Sequence, residues 1–138
     1  GAMHRSEFDA FLAIGDAAFL PAYREWPSID LGQAWDDWQN LPFVFAAWVA
    51  ARPDGLGDLA GRLGAARDAG LARAPVIAAD AARRYGLAEA FVSEYLTRRV
   101  RYGLGPEEEA GMLKFNALAA EMGLCPRRER IEEYGNYQ

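Results

Sequence analysis

The sequence predicts a helix-rich α+β chain, and two contrasting stretches of its 138 residues lead to that prediction. Two short apolar runs, residues 8–15 and 43–50, lie within the first 50 residues and suit buried strands. After residue 55, alanine, leucine and arginine dominate, and apolar residues recur three and four apart, which is the spacing of helices. We therefore expect strands early in the chain and helices in the remainder.

The first apolar run ends in a glycine–aspartate pair. If Phe8 to Gly15 is a strand, then Gly15 and Asp16 stand at its carboxyl end, where open α/β sheets collect their ligands. In one interpretation Asp16 is the N-cap of a short helical turn over residues 17–20, and no ligand is needed. In the other, Gly15 lets a substrate approach the backbone while Asp16 faces a cleft. The local sequence leaves both open.

The second run follows a mixed segment that ends at a proline. Ile29 to Leu31 is expected to be extended, and Trp35 and Trp38 are expected to share the face by which a short helix packs onto a sheet. Pro42 disfavours helix at the residue before it, so we expect the strand over 43–50 to begin after this break.

The aromatic side chains of that second strand have two interpretations. Phe45 and Trp48 are expected to lie in the core, because the strand is apolar on both faces. Phe43 stands at the strand's edge, directly after Pro42, and suits either the core or the wall of a pocket for a planar ring.

Four helices are expected in the second part of the chain, each bounded by a glycine or a proline. Pro106, followed by three glutamates, is typical of a helix N-terminus, since proline suits the first turn and carboxylates favour the positive end of the helix dipole. The charged tail from Cys125 to Gln138 is a last short helix or a frayed end. The expected helix bounds are 56–69, 75–85, 88–102 and 106–122.

Length and composition indicate one folded unit and exclude several classes of partner. A formal net charge of -5 offers no basic face to a nucleic-acid backbone. Cys125 is the only cysteine, which excludes an internal disulfide, leaves a structural zinc site short of ligands and favours a reducing, cytoplasmic setting. No apolar run reaches the roughly 20 residues of a membrane helix, and no signal peptide is recognisable, so no membrane partner is expected.

The familiar motifs of nucleophilic and nucleotide-dependent enzymes are absent from the sequence. It contains no phosphate loop, no Gly-x-Ser-x-Gly elbow and no dinucleotide fingerprint. The single histidine, His4, follows Gly1-Ala2-Met3, which is typical of a scar left by tag removal, and we expect it to be incidental. Acid–base chemistry would then fall to carboxylates or to groups outside the chain.

Five short motifs stand in a characteristic order along residues 8–124. They are Ile14-Gly15-Asp16-Ala17-Ala18, Asp30-Leu31-Gly32 with Trp35, Leu41-Pro42-Phe43-Val44-Phe45-Ala46 with Trp48, Glu94-Tyr95-Leu96, and Arg101-Tyr102 with Leu104. Together they resemble the second half of the chorismate dehydratase family, which belongs to the futalosine route to menaquinone. A sister family, dihydroxynaphthoate synthase, shares that fold but has Ile-His-Glu at the first motif, so the resemblance favours the dehydratase.

The resemblance implies a fold similar to type II solute-binding proteins, with two lobes around a cleft. Residues 4–125 would supply the end of one lobe, a hinge strand and the C-terminal helices, and residues 126–138 a tail. It also implies that chorismate loses water to give 3-enolpyruvyl-benzoate, without a metal or an organic cofactor.

The resemblance also assigns a substrate site. Gly15 and Asp16 would border the cleft, and Leu41, Pro42 and Phe43 would supply an apolar surface for the substrate ring. Family members usually have Thr-Gly before Leu-Pro-Phe, where this chain has Gln39-Asn40. Asn tolerates the left-handed conformation that Gly would supply, so we expect the turn to survive.

The family's main polar and catalytic groups lie in a first half that has no counterpart in this sequence. We therefore expect a missing N-terminal half as partner, no dehydration by this chain alone, and self-association through its uncovered apolar strands. The rival from another class is a non-catalytic module of the same fold that binds a small anion. A helical interaction domain, with little strand content, is the third interpretation.

Overall fold

The computed structural model describes residues 9–19, 21–23, 26–50, 52 and 56–131, and the regular structure in this part is entirely helical. The helix-rich character that the sequence predicts is confirmed. Expectations for residues 1–8, including His4, and for the tail beyond residue 131 lie outside the described residues. Two short 3-10 helices span Gly15–Phe19 and Pro21–Tyr23, and the longer helices are α1 (Leu31–Gln39), α2 (Leu59–Ala72), α3 (Ala74–Tyr85), α4 (Glu89–Glu94) and α5 (Pro106–Glu121).

Helix α1 has a polar residue at each end that explains its length. The Asp30 carboxylate accepts hydrogen bonds from the amides of Gly32 and Gln33 at 2.9 and 3.2 Å, so Asp30 is the N-cap. Asn40 ends the helix in the left-handed conformation, with φ 52° and ψ 41°. The prediction that Asn40 would supply the conformation of a glycine is confirmed.

The helices predicted after residue 55 are confirmed, with ends that differ by up to about three residues. The largest change in character is at the predicted helix over 88–102, where α4 ends at Glu94 and a π-helical turn follows over Tyr95–Arg99. At the end of this turn the amide of Val100 donates to the carbonyl of Tyr95 at 3.1 Å, five residues back.

Small residues let α3 and α4 pack closely. Ala78 and Ala82 lie four residues apart on one face of α3 and are buried against Val92 of α4. Gly86 turns the chain between the two helices at φ 62°, which glycine adopts without strain. Ala81, Leu87 and Leu96 pack around this core.

A second cluster is aromatic and joins α1 to α5. Trp35, which is 7% exposed, lies edge-on to Phe115 of α5, with ring centroids 5.7 Å apart. Phe43 completes the cluster, 5.7 Å from Trp35 and 5.4 Å from Phe115. The face of α1 therefore packs against another helix rather than against the expected sheet, and Trp38, at 68% exposed, stays largely outside.

The segment after α5 is tied back to that helix by one amide side chain. Asn116 donates to the carbonyl of Pro126 at 3.1 Å and to the sulfur of Cys125 at 3.3 Å, and it accepts from the amide of Arg128 at 2.6 Å. The described part of the tail, residues 126–131, contains no helix.

The prediction of a strand over residues 8–15 is wrong for the part that the structure describes. Residues 9–14 have no regular structure, and Phe11 packs its ring on Tyr23 and Trp26, at centroid distances of 5.0 and 5.1 Å. A strand requires a neighbouring strand to bond with, and ring packing replaces sheet pairing here.

The prediction of a strand over 43–50 also fails, since residues 42–50 pair with no strand in the described part of the chain. Phe45, Trp48 and Val49 are 73%, 84% and 87% exposed. The core interpretation of Phe45 and Trp48 is therefore wrong for this chain. Aromatic and β-branched composition indicates that a segment suits a sheet, but it does not supply the neighbouring strand.

Among the described residues, no helix is both long and apolar enough to span a bilayer.

Candidate functional site

Gly15 and Asp16, the first pair of predicted site residues, lie at the start of a 3-10 helix rather than at the end of a strand. Gly15 adopts φ +62°, and a Cβ placed on it would meet no atom within 4 Å. The backbone conformation therefore favours glycine, and the space beside it is open. The helix begins before Asp16, whereas the N-cap interpretation needs it to begin after that residue. For Asp16, only the backbone is among the described parts of the chain.

Phe19, at the end of the same 3-10 helix, anchors it to the α4 region. Its ring lies edge-on to Phe91, at 5.9 Å between centroids, and to Tyr95, at 5.2 Å. A shallow, mostly apolar concavity of about 320 Å³ opens beside this contact, between Ala18 and Leu87. Phe19 was not among the predicted site residues, although an aromatic residue that ends a short turn is a signal for such an anchor.

Leu41, Pro42 and Phe43, the second group of predicted site residues, are half-buried and follow the left-handed turn at Asn40. Phe43 contacts the Phe45 ring at 4.9 Å in addition to the two rings of the α1–α5 cluster. It is therefore packed against three rings but only half-buried, which keeps both the core and the pocket interpretations of this residue.

The two groups of predicted site residues rest on different helices. The 3-10 helix of Gly15 and Asp16 is held by the α4 region, and the segment of Leu41 to Phe43 is held by α1 and α5. No hydrogen bond or ring contact between described residues joins one group to the other. These two groups, the candidate walls of a substrate site, are thus held by different parts of the described chain.

One charged cluster lies at the N-terminus of α5. The Glu108 carboxylate accepts a hydrogen bond from the Gly105 amide at 3.0 Å, and Arg101 approaches it at 3.4 Å. Partial burial tends to raise the pKa of Glu108, but hydrogen bonds from its own amide and that of Gly105, together with Arg101, outweigh burial and lower the pKa. Burial, and to a lesser extent Tyr95, raises the pKa of Tyr102.

This cluster has a structural explanation that needs no ligand. A glutamate at the third helical position commonly bonds back to the N-cap amide, and its charge favours the positive end of the helix dipole. Within the described residues, no group of three or more His, Cys, Asp and Glu side chains could hold a metal ion.

A wider groove, of about 670 Å³, lies between α5 and the tail and coincides with none of the predicted site residues. Its walls are Met112, Leu113 and Asn116 on one side and residues 127–131 on the other.

A profile described as menaquinone biosynthesis matches residues 1–121, which include both groups of predicted site residues and all of α5. The chain belongs to this menaquinone biosynthesis family. That membership confirms the family that the five motifs resembled.

A curated member of comparable sequence is a chorismate dehydratase from Thermus thermophilus. It is 34% identical to this chain over 137 residues, and the alignment covers 86% of this chain and 49% of the relative. The chain thus spans about half the length of this relative. No solved structure matches the chain significantly.

Proposed function

We propose that the protein containing this chain is a chorismate dehydratase-like lyase, which converts chorismate to 3-enolpyruvyl-benzoate and water in menaquinone biosynthesis. The observation that carries the proposal is the family match over residues 1–121, which spans both candidate walls. The similarity to the Thermus chorismate dehydratase supports the choice of reaction. No metal or organic cofactor is part of this proposal.

The proposed reaction does not require a covalent bond between the protein and the substrate. Loss of water breaks one C–O and one C–H bond in a cyclohexadiene ring and leaves an aromatic ring. The site must therefore hold the ring, accept the proton from the ring carbon and deliver a proton to the departing hydroxyl group, which leaves as water. We assign the ring to the apolar surface of Leu41, Pro42 and Phe43. The open space beside Gly15 suits a substrate carboxylate or hydroxyl approaching the backbone, with Asp16 at the cleft.

The remaining polar groups of the site would come from the part of the relative's length that this chain does not match. Family resemblance suggests a two-lobed fold similar to type II solute-binding proteins, with this chain as the end of one lobe, a hinge segment over 43–50 and the C-terminal helices. The exposed apolar side chains of Phe45, Trp48 and Val49 support a missing neighbour. Without it, we expect the isolated chain to be inactive and to associate with itself.

The strand-free structure of the described residues is also what a helical interaction domain would show. Family membership argues against that interpretation, since the match includes both candidate walls. Circular dichroism separates the two: strand content should rise when the natural full-length protein replaces the isolated chain, whereas an interaction domain would keep the helical spectrum of the chain.

The decisive experiment expresses the open reading frame that encodes this chain at its full natural length and incubates the product with chorismate. The isolated chain and the Thermus enzyme are assayed beside it, the latter as a positive control. Formation of 3-enolpyruvyl-benzoate by the full-length product, and not by the isolated chain, supports the proposal. Binding heat with unchanged chorismate would identify a non-catalytic small-anion binder, and the absence of both turnover and binding would refute a role at chorismate.

A further inference from the structure

Helix α5 and the segment that carries Pro42 meet at a glycine. Gly111 is buried, and it is the one buried residue of this fully described helix. A Cβ placed on it would fall far inside van der Waals contact with the carbonyl oxygen of Pro42, at 3.4 Å from the carbonyl carbon and 3.9 Å from Cβ of Leu41. The missing side chain therefore leaves the room that the Leu41–Pro42 backbone occupies.

The identity of the neighbouring atom makes this contact unusually rigid. A side-chain end could rotate away from an added methyl group, but a main-chain carbonyl moves only with its peptide plane. Pro42 adds stiffness, because its ring fixes φ. Glycine in a helix interior is also unfavourable relative to alanine, so only the close approach favours glycine at position 111.

A second glycine, which packs against a side chain of the segment after Pro42, shows how a contact with a side chain differs from a contact with the backbone. A Cβ on Gly32 of α1 would lie 2.8 Å from the tip of the Phe45 ring. That ring is 73% exposed and can turn toward solvent. The contact at Gly32 is therefore adjustable, whereas the contact at Gly111 is not.

We propose that Gly111 is a positioning residue for the substrate wall, setting how deeply the Leu41–Pro42 backbone lies against α5. The proposal rests on the proposed function, which assigns Leu41, Pro42 and Phe43 to the substrate ring. Phe115, four residues along the same face of α5, holds the Phe43 ring at 5.4 Å. An alanine at 111 pushes Pro42 outward while Phe115 retains Phe43, so the wall tilts instead of moving as one piece.

The test measures chorismate turnover by the natural full-length protein carrying Gly111→Ala, with Gly70→Ala as the matched control. Gly70 also lies inside a helix, α2, but a Cβ placed there would meet no atom within 4 Å. We expect Gly111→Ala to raise KM about tenfold or more while kcat changes less, and Gly70→Ala to leave KM unchanged and raise Tm. A KM for Gly111→Ala within twofold of the wild type overturns the proposal.

A double variant with Pro42→Gly tests whether the Pro42 carbonyl causes these effects, and it should regain folding if Gly111→Ala alone melts below the assay temperature. Pro42→Gly frees φ at residue 42 and lets the carbonyl turn away, so in that background Gly111→Ala should raise KM by a smaller factor. An equal factor in both backgrounds, or loss of folding in both, would show a structural role and overturn the proposal.

Failure of the proposed function can be told apart from failure of this inference. If the wild-type protein neither binds nor converts chorismate, the function is wrong. The steric role is then read from the isolated chain, where Gly111→Ala should lower Tm and Gly70→Ala should raise it. Equal Tm changes in the two variants would show that no close approach exists at Gly111.

Discussion

The two candidate walls differ in how the molecule holds them. The 3-10 helix of Gly15 and Asp16 is anchored by one ring, Phe19, lying on two others, Phe91 and Tyr95. The wall of Leu41 to Phe43 is held by two kinds of contact, an aromatic cluster around Phe43 and the backbone contact between Pro42 and Gly111.

This difference in attachment indicates which wall tolerates substitution. Edge-on rings can slide or be replaced by other apolar groups at modest cost, because their attraction is broad and weakly directional. A backbone packed against a glycine has no such freedom. We therefore expect substitutions under the second wall to have larger effects on stability than substitutions under the first.

The largest effect is expected from Trp35→Ala, which removes the centre of the cluster under the second wall. Because Trp35 is buried and contacts three rings, the variant should lose about 3–5 kcal/mol of unfolding free energy, measured by urea denaturation of the chain. Trp38→Ala removes the same side chain from an exposed position of α1 and should cost about 1 kcal/mol or less. Equal losses would contradict the central role of Trp35.

A smaller effect is expected from Phe19→Ala, under the first wall. Phe19 is half-buried and sits on two rings, so about 1–2 kcal/mol of unfolding free energy should be lost. Ile14→Ala, at a side chain 75% exposed just before the 3-10 helix, is the control and should change little. If Phe19→Ala matched Trp35→Ala, the contrast between the walls would disappear.

Glu108→Gln should cost about 0.5 kcal/mol at neutral pH, because the glutamine keeps the hydrogen bond to Gly105 but loses the charge near Arg101. The lowered pKa of Glu108 means that its carboxylate stabilises the fold at pH values above the usual pKa of a glutamate, and this stabilisation is lost as pH falls through the folded pKa.

The difference in Tm between wild type and Glu108→Gln should therefore be largest near pH 7 and should vanish at strongly acidic pH. Glu109→Gln, in the same helical turn, is the control for a general loss of negative charge. A Tm difference that grew on acidification would mean that the sign of the Glu108 effect is wrong.

The smallest effect on stability is expected from Asp16→Asn. Asparagine has nearly the same shape, so unfolding free energy should change by less than about 0.5 kcal/mol, whereas loss of the charge should reduce turnover of chorismate by the full-length protein. Full activity of this variant would leave Asp16 without a role at the cleft.

Local signals were sufficient wherever a residue acts on its own neighbours. Pro106 and the following glutamates predicted the start of α5. The helical spacing of apolar residues after residue 55, interrupted by glycines and prolines, predicted four helices. The conformation of Asn40 was predictable because φ and ψ belong to one residue and asparagine tolerates their left-handed values. The five motifs likewise identified the family, since they lie in the order that its members share.

Tertiary structure decided everything that depends on a distant partner. The apolar runs at 8–15 and 43–50 suited strands, but a strand requires a neighbouring strand to pair with. In the described part of these runs, the side chains contact other rings or are exposed to solvent instead. Phe19 reaches Tyr95, 76 positions along the chain, and Gly111 meets Pro42 across 69. Neither contact produces a periodic pattern in the sequence. A single ring or a single glycine contributes to packing only when folding brings its distant partner into contact.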